Sequence, residues 1–328
     1  MEDIKVSVVV PIYKVERFIS RCAESLLAQT LPEVEFIFVN DATPDSSIAV
    51  LEETIARFPS RAGMCRVVEH EVNKGLPSAR NTGLSVARGE YVFHCDSDDF
   101  VEPTMLEDMY KAATANSADI VWCDWYLSFE KKERYMTQPG CQTPHEALRC
   151  MLSGAMKFNV WNKLVKRDLY ERWSVRFPDG YGMGEDMTMM MLFAQSKNVV
   201  HLPKAYYHYV KLNNNAFSQT YSERHLVELR YNVNRIENYL KEHFGEEFQK
   251  EIAFLKLDVK FPFLITDDNS KYQMWKEWYP EANAFIMQNK RISLRSRLLQ
   301  LAAKYSLFGL VWCYYNVVHR FIYGVLYK

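Results

Sequence analysis

HCDSDDF, residues 94–100, sets three carboxylic acids (Asp96, Asp98 and Asp99) within four positions, directly behind the apolar run Tyr91-Val92-Phe93. Such a run reads as a buried strand. Carboxylates crowded at its end repel one another and cost free energy unless something neutralises them. Whatever does so must lie where the strand stops.

Upstream of this point, strand and helix patterns alternate. Val6 to Val10 is a short β-branched run ended by Pro11, and Val15, Phe18, Ile19, Cys22, Leu26 and Leu27 follow at helical spacing. Val34 to Val39 reads as a second strand, closing on Asn40-Asp41, and Ile48, Leu51, Ile55 and Phe58 mark a second helix with Asp45 or Ser46 at its N-cap. A strand at Arg66 to Glu69 and a helix at about Pro77 to Ala87 lead to the opening strand. Ile120 to Phe129 is one more strand. The βαβα order predicts an α/β fold, a mostly parallel sheet flanked by helices. Ligands of such sheets bind beyond the carboxyl ends of the strands. The polar clusters Pro11-Ile12-Tyr13, Asn40-Asp41 and Asp96-Ser97-Asp98 all fall there.

Downstream, residues 130–142 read as a polar loop or hairpin tip. Helical patterns at Pro144 to Leu152 and Glu185 to Ala194 flank a glycine-rich loop, and two short strands, Val199 to Leu202 and Ala205 to Val210, follow. From about 222 the pattern is helical. The 328 residues are 48% hydrophobic and 25% charged, with a formal net charge of −1, so nothing global points to nucleic acid. The seven cysteines are scattered without metal-ligand spacing, which suits a reduced, cytoplasmic setting. The N-terminus lacks the features of a signal peptide, and no stretch is long and apolar enough for a membrane span.

Asp-x-Asp at a strand end suits a divalent cation, since Mg²⁺ or Mn²⁺ takes one or two carboxylates and completes its shell with water and phosphate oxygens. The alternative is that these acids cap the next helix. Asp41 at its strand end can accept from a base N–H, or make an Asx-turn. Lys74 and Arg80 of NKGLPSARNTG (73–83) lie near the same edge, with Gly75 and Gly83 allowing close backbone approach.

PIYKVERF, VNDATPDSS, NKGLPSARNTG and HCDSDDF, in this order, resemble segments of the inverting, non-processive family 2 glycosyltransferases of bacterial type, which have the GT-A fold. VWNKLVKRDLY (160–170), GED (184–186) and YYHYVKLNNNAFS (206–218) extend the resemblance. It implies a catalytic domain over 1–220, a helical C-terminal region over 221–328, and a nucleotide diphosphate sugar as donor, most often a UDP-sugar. Pro11, Tyr13 and Glu16 would line the nucleotide pocket. Asp41 would bind the base, Arg80 would lie beside base or phosphates, Asp96 would face ribose or donor sugar, and Asp98 would hold Mn²⁺ or Mg²⁺. Asp186 would be the catalytic base, with Glu185 its rival and Asp179 a weaker candidate. The family's arginine after the tyrosine run is missing here; Val210 and Lys211 stand in its place, and Lys211 or His208 is the substitute. The Gln-x-x-Arg-Trp of processive relatives is also missing: Arg172-Trp173 precedes GED, with Leu169 in the glutamine position.

The acceptor implied is a saccharide or a lipid-linked saccharide. Arg291, Arg295, Arg297, Lys304, Arg320 and Lys328 interleave with Leu, Phe, Trp and Tyr, a composition that suits either a peripheral contact with the inner face of the plasma membrane or a helical hairpin packed on the catalytic domain. Two other readings are a nucleotidyltransferase, which wants a glycine-rich phosphate loop that PIYKVERF does not supply, and a nucleotide-sugar-binding module without transfer activity.

Overall fold

The computed structural model describes residues 3–212 and 222–318. Residues 213–218 of the tyrosine-rich stretch, and Arg320 and Lys328 of the basic tail, lie outside them. By internal packing the chain divides into two compact units, Met1–Ala147 with Phe158–Ile236, and Leu148–Lys157 with Glu237–Lys328.

The first unit is built on one sheet. Its parallel half comprises β1 (Val6–Ile12), β2 (Val34–Asn40), β3 (Cys65–Glu69) and β4 (Tyr91–His94), in the spatial order β3-β2-β1-β4. Between these strands run α1 (Ile19–Leu27), α2 (Ser47–Ala56), the single turn α3 (Pro59–Ala62) and α4 (Leu76–Val86). Every residue of β1 is buried, as expected of a parallel strand covered on both faces. The expected α/β class and mostly parallel sheet are thus present.

The other half is mixed. It holds β5 (Phe100–Val101), α5 (Met105–Ala115), β6 (Ile120–Ser128), β7 (Glu133–Met136), α6 (Pro144–Leu152), β8 (Lys163–Lys166), α7 (Arg167–Arg172), α8 (Thr188–Gln195) and β9 (Val199–Val210). β8 lies between β4 and β6 and is antiparallel to both, β6 pairs with β9 in parallel, and β5 closes the far edge against β9. Residues 130–142 hold β7, so the hairpin tip itself is confined to the residues between β6 and β7. The two short strands expected over 199–210 are one strand. Its pairing with β6 slips beside Cys123 and Asp124, where Pro203 has no N–H to give the ladder.

Two details seat the helices. Gly83 on α4 faces β1 so closely that a Cβ there would overlap Val9 Cγ1; its smallness serves helix–sheet packing rather than ligand approach. Ser46 stands at the N-cap of α2 without a side-chain cap bond, and Asp45 before it supplies the carboxylate: its Oδ1 accepts from Ser47 N (3.2 Å) and Ser47 Oγ (2.6 Å).

The second unit is helical, with the C-terminal part of α9 (Glu223–Phe244), then α10 (Gln249–Lys260), α11 (Asn269–Glu277), α12 (Leu294–Lys304) and α13 (Phe308–Tyr314). Within it Lys260 is buried. Its Nζ donates to Trp278 O (2.7 Å) and Asn283 Oδ1 (2.7 Å) and lies 4.1 Å from the Trp275 ring centroid. No helix among the described residues is long and apolar enough to cross a membrane.

Candidate active site

The register places the candidate groups on one edge. Ile12 pairs with Asn40, and Val9 with both Ile37 and His94, so Tyr13, Asp41 and Asp96 all follow strands that end on the same side of the sheet. Pro11 is buried in β1, whereas Tyr13 is 41% exposed just past it. Glu16 and Asp45 exchange bonds across two loops: Glu16 N donates to Asp45 Oδ2 (3.2 Å) and Ser46 N donates to Glu16 Oε2 (3.1 Å). Glu16 therefore latches the loop after β1 to the start of α2.

Asp41 is buried and heavily engaged. Its Oδ1 accepts from His70 Nδ1 (2.7 Å) and Lys74 N (2.8 Å), its Oδ2 from Gly75 N (2.8 Å) and Asn73 Nδ2 (3.0 Å). Four donors match the acceptor capacity of a carboxylate. The local turn is made instead by Asn40, whose Oδ1 accepts from Thr43 N (3.0 Å). Gly75, at φ 87°, lets the chain turn back and present its N–H to Asp41.

The three acids of HCDSDDF part company. Asp99 turns inward and is fully buried; its Oδ1 accepts from Val210 N (2.7 Å) and its Oδ2 from Tyr207 Oη (2.7 Å). Burial, then the charges of Asp98 and Asp96, hold its carboxyl well above the usual carboxylate range. Asp99 is a tie to β9 and not a helix cap. Tyr207 also receives Asp96 N–H (3.1 Å), so one hydroxyl fixes both ends of the acidic turn. Asp96 is neutralised by Arg80, whose Nη2 lies 2.9 Å from its Oδ1. Asp98 is half-buried between them in sequence.

Arg80 projects from α4 and is only 1% exposed, yet its Nε and Nη1 have no hydrogen-bond partner among the described residues. Burial opposes its charge, but Asp96, Glu185 and Asp186 outweigh burial and raise its pKa. Its Nη2 lies 3.6 Å from Glu185 Oε1. Glu185 and Asp186 occupy a single 3₁₀ turn, Glu185–Met187, launched by Gly184 at φ 89°. Glu185 is buried; burial and then the Asp186 charge push its carboxyl well above its usual value. Asp186 Oδ1 has no hydrogen-bond partner among the described residues. Burial lifts its pKa, Asp96 adds to the lift, and Arg80 and Lys163 pull it back, leaving it at about 6.

Lys163, quoted in the sequence only as part of a recurrent segment, is electrostatically part of this site. It is buried, donates to Asn159 O (2.5 Å) and Asn162 Oδ1 (2.8 Å), and is brought by burial to about 7 against the pull of Asp186. A lysine opening the apolar run Leu164-Val165 was the one available sign that it points inward. Trp161 is a packing residue, stacked on Tyr207 (4.4 Å) and Tyr209 (5.4 Å). Asp179 is drawn to α4 instead, accepting from Ser78 Oγ (2.8 Å) and Asn81 Nδ2 (3.0 Å). His208 is clamped between Glu133 (2.7 Å) and Glu102 (3.0 Å), and Lys211 lies over the Tyr209 ring.

Among the described residues no three His, Cys, Asp or Glu side chains are grouped to cage a metal. With Asp99 turned inward, Asp96 and Asp98 remain. One or two carboxylates is the usual protein share for Mg²⁺ or Mn²⁺ where phosphate and water supply the rest, so the residues fit.

A helix-flanked, largely parallel sheet with carboxylates and a buried arginine beyond its strand ends agrees with the GT-A fold. The glycosyl transferase family 2 model matches residues 7–177, and the chain belongs to that family: it is a glycosyltransferase. It is 32% identical to the uncharacterized glycosyltransferase EpsJ of Bacillus subtilis over 258 residues, 76% of this chain and 69% of that protein. It is 27% identical to glycosyltransferase GlyA of Streptococcus pneumoniae over 341 residues, 97% of this chain but 47% of GlyA. The crystal structure of S. aureus TarS 1-349 superposes with a TM-score of 0.69 at 19% identity, covering 95% of this chain and 91% of that one, a likeness of fold.

Proposed function

We propose that this glycosyltransferase moves one sugar from a nucleotide diphosphate sugar, with UDP the expected leaving group, to a hydroxyl of a saccharide or lipid-linked saccharide, with inversion. The observation that carries the reading is Asp186: a carboxylate with one unpartnered oxygen and a pKa lifted to about 6, set beside a buried arginine. In an inverting transfer the acceptor oxygen forms a bond to the anomeric carbon as the bond to the diphosphate oxygen breaks. The acceptor's proton passes to Asp186 Oδ1. Glu185, deeper and drawn towards Arg80, is the less suited base. The spare N–H groups of Arg80 suit an anionic or carbonyl oxygen of the donor, and Lys163 helps to keep Asp186 ionised.

Tyr13 and Glu16 are assigned to the rim of the nucleotide pocket, and the buried Pro11 and Asp41 to its floor. There Asp41 shapes the loop 73–75, and a base N–H would share an oxygen already held by two chain donors. Asp98, with Asp96, would hold Mn²⁺ or Mg²⁺, which when bound would neutralise charge on the departing diphosphate. The solved structures of S. aureus TarS 1-349 in complex with UDP-GlcNAc and of the Pyrobaculum calidifontis mannosyltransferase PcManGT in complex with GDP-Man and Mn2+ support this choice of donor and ion. We assign the enzyme to the cytoplasmic side, where nucleotide sugars are found.

Thermal shift against a panel of nucleotide sugars with and without Mn²⁺ identifies the donor; a ligand at ~100 times its Kd adds about 2.7 kcal/mol. Asp98→Ala should abolish the metal-dependent part of that shift. Asp186→Asn should keep donor binding and lose transfer by about 10²–10⁴-fold. Transfer by Asp186→Asn at the wild-type rate would refute the assignment of the base.

A further inference from the structure

We propose that the face formed by α12 and α13 docks on a bilayer surface rich in anionic phospholipid. Three observations converge on it. The first is charge. Residues 282–328 contain no Asp or Glu but seven Lys and Arg, although the whole chain carries a net −1. All 41 acids therefore lie before Ala282, and the basic residues of the C-terminal stretch have no acid neighbours in sequence.

The second is the apolar face. Leu294 (54% exposed), Leu298 (50%), Leu307 (50%), Leu310 (61%), Trp312 (49%) and Val317 (52%) are all open. Leu294 and Leu298 are four apart on α12, and Leu307 and Leu310 are three apart at the start of α13, whose Val311 is buried and whose Phe308 ring packs on the buried Tyr272 (5.5 Å between centroids). Exposed Lys290, Arg291 and Arg295 flank the start of this face. Apolar side chains with basic neighbours match the boundary between headgroups and acyl chains.

The third is the joint. α12 ends in a Schellman turn: Ser306 is left-handed (φ 60°), Ser306 N donates to Ala303 O (3.0 Å) and Leu307 N to Ala302 O (2.9 Å). This turn fixes the direction of α13 relative to α12, and puts exposed Tyr305 and Leu307 at its apex. Beyond Val318 the sequence HRFIYGVLYK keeps the same composition, basic and apolar without acid. Charge selects the partner: an anionic lipid surface offers both the negative potential and the apolar layer, whereas a nucleic acid offers only the first.

Vesicle binding needs neither donor nor acceptor, so the test is independent of the transfer chemistry. The full chain is floated with vesicles of phosphatidylcholine, with and without phosphatidylglycerol. Binding is expected only to the anionic vesicles, and to fall at least about tenfold between ~0.1 M and ~1 M salt, as the Debye length shortens from about 10 to 3 Å. Leu294→Ser/Leu298→Ser/Leu310→Ser, all at exposed positions, should weaken binding by about tenfold or more with an unchanged melting curve. Failure of the folded wild type to bind anionic vesicles overturns the proposal. So does binding that the leucine substitutions leave intact, which would assign it to charge alone, and so does a wild-type dimer that those substitutions dissolve, which would assign the face to a second copy.

Discussion

Asp186 and Asp41 show opposite uses of a carboxylate at the same edge. Asp186 holds its proton more tightly in the folded state, at about 6 against an ordinary 3.8. With Asp186 as the proposed base, active when ionised, transfer should rise with pH through about 6 and then level, a profile read from kcat/KM. The same shift has the reverse sign for stability. The folded state binds more protons than the unfolded chain between those values, so raising the pH through that interval costs stability. Asp186→Asn should therefore raise the melting temperature at pH 8, and the gain should fade as pH drops towards 4. Asp41 is the contrary case, a carboxylate whose four donors are all internal. Asp41→Ala leaves buried donors unpaired and should cost about 2–4 kcal/mol in denaturant unfolding, with Asp41→Asn costing less.

At the scale of the element, α4 depends on its glycine. Gly83→Ala drives a methyl into Val9 and should destabilise by about 1–3 kcal/mol, while the melting of Gly63→Ala, where a Cβ meets nothing within 4 Å, stays within about 1 kcal/mol of the wild type. The parallel strands were legible in the sequence because each is a run of apolar residues that closes on a polar cluster. β1 and β2 are buried along nearly their whole length, so periodicity and burial agree there. β5 and β8 were not legible. Two residues carry no period, and Lys163–Lys166 opens with the charged residue that turns out to be buried. The candidate site divides in the same way. Strand-end acids announce themselves by position, whereas the inward turn of Asp99, the four-donor cage on Asp41 and the field of Lys163 on Asp186 depend on partners dozens of residues away.

On the scale of the whole molecule, the site draws on residues from Asp41 to Asp186, and the sheet that carries them is completed out of order. β4 is the edge of the parallel half until β8, some 70 residues later, fits in between it and β6. A chain cut before Lys163 keeps an open apolar strand edge, and should partition into the aggregated fraction on cell lysis, where the full chain does not. The same gap has a meaning on the ribosome. At ~5–20 residues per second, the strand bearing HCDSDDF stays uncovered for about 3–14 s of synthesis before its antiparallel neighbour is made. The acids that close this strand in the finished fold also protect the nascent chain, since three negative charges at the end of an exposed hydrophobic strand discourage other strands from adding to it while it waits.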